Sequence, residues 1–207
     1  MDRRSLLTKG GAATFGALAL TAVTDGTAFA GTAQSQTSGH PWAGPLPDPA
    51  TTPVPDPPFP KGLTAGERRN LRTFDELDFD VFSHADWDRL DESHARTIRV
   101  HWPDGHYTDG IDKHIADLAA MFVWAPDTRI ESHHLRVATG DLTAVAGVMR
   151  GTFTRPMPDG KGGTIAPTGK KYAISMATVG LWTPRGVMDE EFLFWDNQTF
   201  YQQIGLA

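Results

Sequence analysis

A carboxylate near the C-terminal end of the chain is the first residue that could do chemistry. Asp196 follows a run of large apolar side chains in the segment EEFLFWDNQ, residues 190–198. Because side chains alternate along a strand, we expect Phe192, Phe194 and Asp196 to share one face. An acid among aromatic rings is costly to ionise, so its pKa should rise and it could serve as a general acid or base. The alternative is that Asp196 caps a short helix that closes the chain.

Histidines are the second group of candidates. His101 lies in a predicted strand over residues 97–102, in which apolar and polar residues alternate. One face of this strand must look into any pocket, so either His101 or Trp102 enters it. His133 and His134 are neighbours in another predicted strand and therefore point to opposite faces. We take His133 as the one that lines the pocket, and His101 as the catalytic partner of the carboxylate.

The pattern of histidines does not predict a metal site. The chain has eight histidines and no cysteine, so thiolate sites are excluded. The histidines show neither the helical i, i+4 pair nor another compact spacing that metal-binding motifs use. Glu190 and Glu191 precede Asp196 by roughly 16–20 Å along a strand, too far for a joint acid/base pair. We expect them at the other end of the sheet or paired with Arg or Lys across strands. We therefore expect neither a metal nor a cofactor.

Apolar residues around these candidates predict what the pocket would bind. Methionine and aromatic side chains favour a flat hydrophobic molecule over a sugar or a nucleotide. Together with His133, the predicted ligand contacts are Trp102, Met121, Trp124, Phe192 and Phe194. The formal net charge of −6 disfavours nucleic acid and anionic membrane surfaces as partners.

The elements that must position these residues follow from the apolar pattern. Thr64 and Glu67 have the spacing of a capping box, which begins a predicted helix that extends to Phe82. Further helices are predicted over 87–95 and 110–122, and strands over 97–102, 128–138, 143–154, 171–183 and 187–196, before a closing helix. Helices grouped ahead of a mainly antiparallel sheet predict an α+β fold, with the helices packed on the concave face of a curved sheet. The space between the two layers is the expected pocket.

The chain of 207 residues divides into three parts. Residues 1–30 carry Arg3 and Arg4, a weakly apolar run and a small-residue cleavage motif, which together are typical of a twin-arginine signal peptide. The apolar run is short and rich in glycine, so cleavage is favoured over a membrane anchor. Residues 31–61 form a Pro-rich linker, and residues 62–207 form one domain. We expect a periplasmic or extracellular protein without membrane contact after cleavage.

Several segments carry a resemblance to a known family. VHWPDG, TDGIDKHIADL, GVMRGTF, PTGKK and EEFLFWDNQ, in this order, resemble the SnoaL-like polyketide cyclase and ester cyclase group of the nuclear-transport-factor-2-like superfamily, over residues 65–206. The resemblance implies a cone-shaped α+β fold. In the cyclases of this group, an Asp late in the last strand is the general acid/base for an intramolecular aldol closure, and Asp196 matches that position. The export signal distinguishes this chain from cyclases that act in the cytoplasm beside a polyketide synthase.

Three functions are compatible with these observations. The first is a cofactor-free enzyme that cyclises, isomerises or hydrolyses a small hydrophobic molecule, with Asp196 as acid/base and His101 or His133 polarising the substrate. The second is a binding protein that sequesters such a molecule without chemistry. The third is a dimeric scaffold, and a homodimer is expected under all three. An enzyme should keep a buried carboxylate beside a second polar group at an open cavity, whereas a scaffold should have its cone filled by side chains.

Overall fold

The computed structural model describes residues 54–206. The predicted signal peptide and most of the predicted linker lie outside the described residues. Within the described range, no helix combines the length and the hydropathy that crossing a bilayer requires.

Four helical segments precede or flank the sheet, and a fifth closes the described chain. They are α1 (Ala65–Glu76), a π-helical segment (Leu77–Phe82), a 3-10 segment (Trp87–Glu92), α2 (Ile111–Trp124) and α3 (Asn197–Ile204). The capping box is confirmed, because Thr64 accepts from the backbone N–H of Glu67 while the Glu67 carboxylate accepts from the Thr64 backbone. The predicted long helix changes to π-helical geometry after Glu76, a feature often found at functional sites.

A six-stranded sheet forms the second layer. Its strands are β1 (His94–His101), β2 (Tyr107–Asp109), β3 (Arg129–Thr139), β4 (Leu142–Thr152), β7 (Lys171–Trp182) and β8 (Met188–Trp195). The spatial order is β2-β1-β8-β7-β4-β3, and every neighbouring pair is antiparallel except β1 and β8. The short strands β5 (Met157–Pro158) and β6 (Thr164–Ile165) pair with each other inside a long loop. The predicted mainly antiparallel sheet is confirmed.

Two clusters of buried side chains fill the space between helices and sheet. One joins α1 and the π-helical segment to the strands through Leu71, Phe74 and Trp182. The other gathers Met121, Tyr172 and other side chains near the C-terminal helix. The helices therefore pack on the concave face of a curved sheet, and the predicted cone-shaped α+β fold is confirmed.

The end of the predicted linker packs on the domain. The Arg136 guanidinium on β3 donates to the Asp56 carboxylate at 2.8 Å and to the Pro57 carbonyl oxygen at 3.1 Å. The same guanidinium lies 5.2 Å from the centroid of the Phe59 ring. Since Arg136 also holds Asp75, this segment contacts the hydrogen-bond network described below.

Candidate functional site

A cavity lies between the concave face of the sheet and the helices. Its volume is about 50 Å³, whereas a void needs roughly 10–15 Å³ to hold one water molecule. Typical ligand sites are larger, at about 300–1,000 Å³. A ligand of more than a few atoms must therefore displace lining side chains, and the flexible thioethers of Met121, Met149 and Met176 are suited to move.

The cavity wall has an apolar part and a polar part. The apolar part includes Trp102, Met121, Met149, Met176, Leu193 and Trp195. The polar part consists of Asp78, His94, His114, Asp117, Thr178 and Glu191. Six polar side chains at one small void are costly to desolvate, so their hydrogen bonds and charges decide what the site can do.

Glu191 lies between two imidazoles. Its Oε2 atom is 3.4 Å from Nε2 of His94 and 3.5 Å from Nε2 of His114, and all three side chains are buried. Three elements bring them together: His94 begins β1, Glu191 faces inward from β8, and His114 lies in the first turn of α2. Burial lowers the pKa of His114 well below its ordinary value, and the nearby His94 acts in the same direction. His114 is therefore a neutral imidazole near neutral pH.

A chain of charged groups stands behind Asp78. The π-helical segment places Asp78 in the cavity wall, where its Oδ2 accepts from Nε2 of His133 at 2.7 Å. Nδ1 of His133 lies 2.8 Å from Oδ1 of Asp75, which in turn accepts from Arg136 at 2.9 Å. Burial opposes the charged form of His133, but hydrogen bonds to Asp75 and Asp78 outweigh it and raise the pKa of His133 to about 9. Both ring nitrogens then carry protons and both donate.

Burial also raises the pKa of the Asp78 carboxyl. The hydrogen bond from His133 opposes this rise, and the negative charge of Glu191 adds to it. A carboxylate with a raised pKa is a better base than an exposed Asp, because its charged form is less stabilised.

Several buried polar atoms at the cavity lack a hydrogen-bond partner among the described residues. They are Nδ1 of His114, Oδ2 of Asp117 and Oγ1 of Thr178. Burial raises the pKa of Asp117, while the nearby His106 and Thr108 oppose the rise. Unpaired buried polar atoms are uncommon in native proteins, and here they provide hydrogen-bonding capacity for a molecule in the cavity.

Asp196 does not lie in the cavity wall. Strand β8 ends at Trp195, and the chain turns into α3 with Asp196 as its N-cap. The exposed carboxylate accepts from the backbone N–H of Gln198 at 2.9 Å and from the Thr199 hydroxyl at 2.5 Å. The Thr199 hydroxyl and backbone, followed by Gln198, lower the pKa of Asp196. The prediction of a buried Asp196 with a raised pKa is wrong, and the capping alternative describes its position.

The faces of β8 are also the reverse of those predicted. Glu191, Leu193 and Trp195 line the cavity, while Phe194 is 53% exposed on the outer face with Phe192. The prediction that Phe192 and Phe194 contact a ligand in the cavity is wrong. Because this strand carries large apolar residues on both faces, alternation alone cannot tell which face is buried.

His101 lies on the outer face as well. Its ring stacks on Phe192 with centroids 4.2 Å apart, and Nε2 is 2.8 Å from Oε1 of Glu190. The placement of His101 in the pocket is wrong, and the alternative, Trp102, lines the cavity instead. In the paired strands β1 and β8, His101 lies directly beside Phe192, so both side chains point to the outer face of the sheet.

The remaining predicted ligand contacts have different positions. Met121 lines the cavity, whereas Trp124 lies in the second core cluster with its ring centroid 5.4 Å from that of Phe153. His133 is fully buried and reaches the cavity wall only through its hydrogen bond to Asp78.

Sequence reasoning missed the polar residues that line the cavity. The distance of Glu191 from Asp196 argued against a joint acid/base pair, so Glu191 was not considered as a pocket residue. Along the strand, however, Glu191 lies on the face opposite to Phe192 and Phe194. His94 fell in a predicted helix over 87–95, but it begins strand β1. His94 and His114 are 20 positions apart in the sequence, so no local spacing could show that they meet.

The family model of the SnoaL-like polyketide cyclases matches residues 72–204. The chain therefore belongs to the SnoaL-like polyketide cyclase family, and the resemblance seen in its sequence is confirmed. No curated protein matches the chain.

Solved structures share the same fold at low sequence identity. A candidate SnoaL-like polyketide cyclase from Jannaschia sp. CCS1 aligns with a TM-score of 0.62 at 20% identity, over 72% of this chain and 99% of its own. IdmH, a candidate polyketide cyclase from Streptomyces antibioticus, aligns with a TM-score of 0.57 at 23% identity, over 66% and 98%. An NTF2-like protein of unknown function from Burkholderia pseudomallei aligns with a TM-score of 0.53 at 17% identity, over 66% and 97%.

Proposed function

We propose that this protein catalyses a proton transfer on a small hydrophobic molecule in the cavity, leading to cyclisation, isomerisation or hydrolysis. The observation that carries the proposal is the Asp78 carboxylate, which is buried in the cavity wall with His133 and Asp75 in line behind it. Family membership supports cyclisation as the type of reaction, because the related structures from Jannaschia and Streptomyces are described as candidate polyketide cyclases.

In this mechanism Asp78 acts as the base. Its carboxylate takes a proton from a carbon next to a carbonyl group. The electron pair of the C–H bond forms the new C=C bond, and the π pair of the carbonyl moves to its oxygen, which gives an enolate. Charged His133 holds Asp78 in place through Oδ2 and remains paired with Asp75 when Asp78 becomes neutral. His133 is thus a positioning residue.

Two other polar residues of the cavity wall can stabilise the enolate. The buried hydroxyl of Thr178 and the buried Nδ1 atom of His114 have no hydrogen-bond partner among the described residues. Donors fixed in a buried site stabilise a developing oxyanion more than water does, because they need no reorganisation. The apolar lining excludes water from the enolate and binds the hydrocarbon part of the substrate.

Two further proposals concern the location of the protein and its oligomeric state. We propose export by the twin-arginine route to the periplasm or the exterior, supported by Arg3 and Arg4 and the residues after them. We also propose a homodimer formed through the outer face of the sheet. It is supported by the exposed apolar side chains of that face, Leu135, Val137, Leu142 and Phe194.

Deuterium exchange tests the proposed chemistry without knowledge of the natural substrate. The protein is incubated in D₂O with a panel of small aromatic 1,3-diketones and β-keto esters, and uptake of deuterium at the acidic carbon is measured by mass spectrometry. We expect exchange with at least one compound and a loss of roughly 100-fold or more in Asp78→Asn, in line with removal of a general base. Asn keeps the shape of Asp and can still accept from His133.

The matched control is Asp91→Asn, which changes an exposed Asp of the 3-10 segment and should leave exchange unchanged. Thermal unfolding followed by circular dichroism establishes that both variants are folded. Equal exchange in folded Asp78→Asn and in the wild-type protein would refute the role of Asp78. Failure of every compound, together with no ligand detected by native mass spectrometry, would refute the proposed function.

A further inference from the structure

Three buried side chains in the cavity wall have the chemistry of a metal site. His94, His114 and Glu191 come from β1, α2 and β8, and at most 5% of each side chain is exposed. One ligand atom from each lies within 4.8 Å of the other two. We propose that these three side chains bind one divalent transition-metal ion.

The two distances from the Glu191 carboxylate to the imidazoles match those of a coordination shell. Oε2 of Glu191 lies 3.4 Å from Nε2 of His94 and 3.5 Å from Nε2 of His114. Hydrogen bonds between N–H and oxygen cluster near about 2.9–3.0 Å, so these contacts are long for direct hydrogen bonds. In a tetrahedral site with bonds of about 2.0–2.1 Å, neighbouring ligand atoms lie roughly 3.3–3.4 Å apart. Both separations are close to that value.

The hydrogen bonds of His94 also favour a cation between these groups. The Ser93 hydroxyl donates to the Leu90 carbonyl oxygen at 3.1 Å, so its oxygen is available to accept from Nδ1–H of His94 at 2.8 Å. In a neutral His94 ring with its proton on Nδ1, the lone pair of Nε2 faces the Glu191 carboxylate. Two acceptors then face each other, and a positive ion between them removes the repulsion. A hydrogen bond from the outer ring nitrogen is also what fixes metal-binding histidines in most sites.

The donor set determines the class of ion. Mg²⁺ and Ca²⁺ prefer shells of oxygen ligands, whereas two imidazoles and one carboxylate suit Zn²⁺ or Fe²⁺. Three protein ligands leave a coordination position for an oxygen atom of a molecule in the cavity, which the ion would polarise as a Lewis acid. The inference does not depend on Asp78 as a base, and the metal would bind even if the cavity catalyses no proton transfer.

Titration with Co²⁺ tests the site directly. The full chain is stripped with a chelator and titrated with Co²⁺, whose visible d–d absorption reports a tetrahedral environment of nitrogen and oxygen ligands. We expect one equivalent to bind with this spectrum and Zn²⁺ to displace it. The substitutions His94→Ala, His114→Ala and Glu191→Gln should each weaken binding by roughly 100-fold or more, and Ser93→Ala by about 10-fold, as for a residue that orients a ligand.

The matched control is the His101 and Glu190 pair, which lies on the outer face of the same two strands. His101→Ala and Glu190→Gln should leave Co²⁺ affinity unchanged. The proposal is overturned if folded wild-type protein takes up no Co²⁺, because a proton would then hold the three side chains together. It is also overturned if the control variants weaken Co²⁺ binding as much as the substitutions of His94, His114 and Glu191. If a cluster variant does not fold, Ser93→Ala decides, because it keeps all three ligands. Deuterium exchange by the chelator-treated protein tests the proposed function separately.

Discussion

The buried His133 makes the stability of this protein depend on pH in a way that can be calculated. Its pKa is about 9 in the folded protein, against 6.5 as the ordinary value, because Asp75 and Asp78 hold both ring nitrogens. A group whose pKa is raised on folding stabilises the fold fully below its unfolded pKa, and that contribution is lost as the pH rises through the folded pKa. The loss should therefore fall between about pH 6.5 and pH 9.

The magnitude follows from the two pKa values. A difference of one pKa unit corresponds to about 1.4 kcal/mol, so the full contribution of His133 is about 3 kcal/mol. Between about pH 7 and about pH 9.5, the free energy of unfolding should fall by roughly 2 kcal/mol. Any titration of Asp78 in this range adds to the loss, because its pKa is raised and the folded protein then binds more protons.

Other shifted groups contribute little in this range. The pKa values of His114 and His134 are lowered by burial, so they affect stability only below about pH 6.5. Burial raises the pKa of Tyr172, whose effect begins only near the ordinary tyrosine pKa of about 10. Urea unfolding at a series of pH values measures the predicted loss, and the NMR shifts of the His133 ring measure its pKa directly.

Two variants separate His133 from its surroundings. His133→Gln should remove most of the pH dependence, although it also destabilises the fold, because it leaves Asp78 without the cation that it pairs with and Asp75 with Arg136 alone. His134→Gln alters the adjacent histidine and should keep the dependence. The reasoning is refuted if the stability of the wild-type protein is flat from about pH 7 to about pH 9.5, or if His133 titrates near its ordinary value.

Two further predictions concern packing and capping. Gly151→Ala would place a methyl group 2.6 Å from Cζ of the buried Tyr172, and should lower the free energy of unfolding in urea by about 1–3 kcal/mol. Gly66→Ala in α1 is the control, because its methyl group would meet open space and should be neutral or stabilising. Equal effects of the two substitutions would contradict the packing around Tyr172. Asp196→Ala should lower the melting temperature by roughly 2–4 °C through loss of the cap but leave deuterium exchange intact. A loss of exchange in a folded Asp196 variant would return Asp196 to the active site.

Local signals in the sequence predicted much of the fold. The capping box at Thr64 predicted the start of the first helix, and the turns between apolar runs predicted four long strands within a few residues of their observed ends. These signals depend on neighbours in the chain, so they need no knowledge of the tertiary structure. The family motifs likewise follow the order of the sequence, and the family match confirms them.

The candidate site could be predicted only in part. Met121 and Trp102 follow from apolar patterning, and both line the cavity. Asp78 gave no signal because a single Asp in a helix is ordinary until the helix is packed, and its π-helical geometry was not visible in the apolar spacing.

The sequence by itself determined that this chain forms helices packed on a curved, mainly antiparallel sheet, because hydrophobic periodicity and turn residues act over a few positions. Only the tertiary structure decided which face of β8 is buried, since its aromatic residues could pack on either side. That choice exposed Phe194 and buried Glu191. Strand pairing and helix docking then brought His94 and His114 to Glu191 from distant parts of the chain, through contacts that no local pattern encodes.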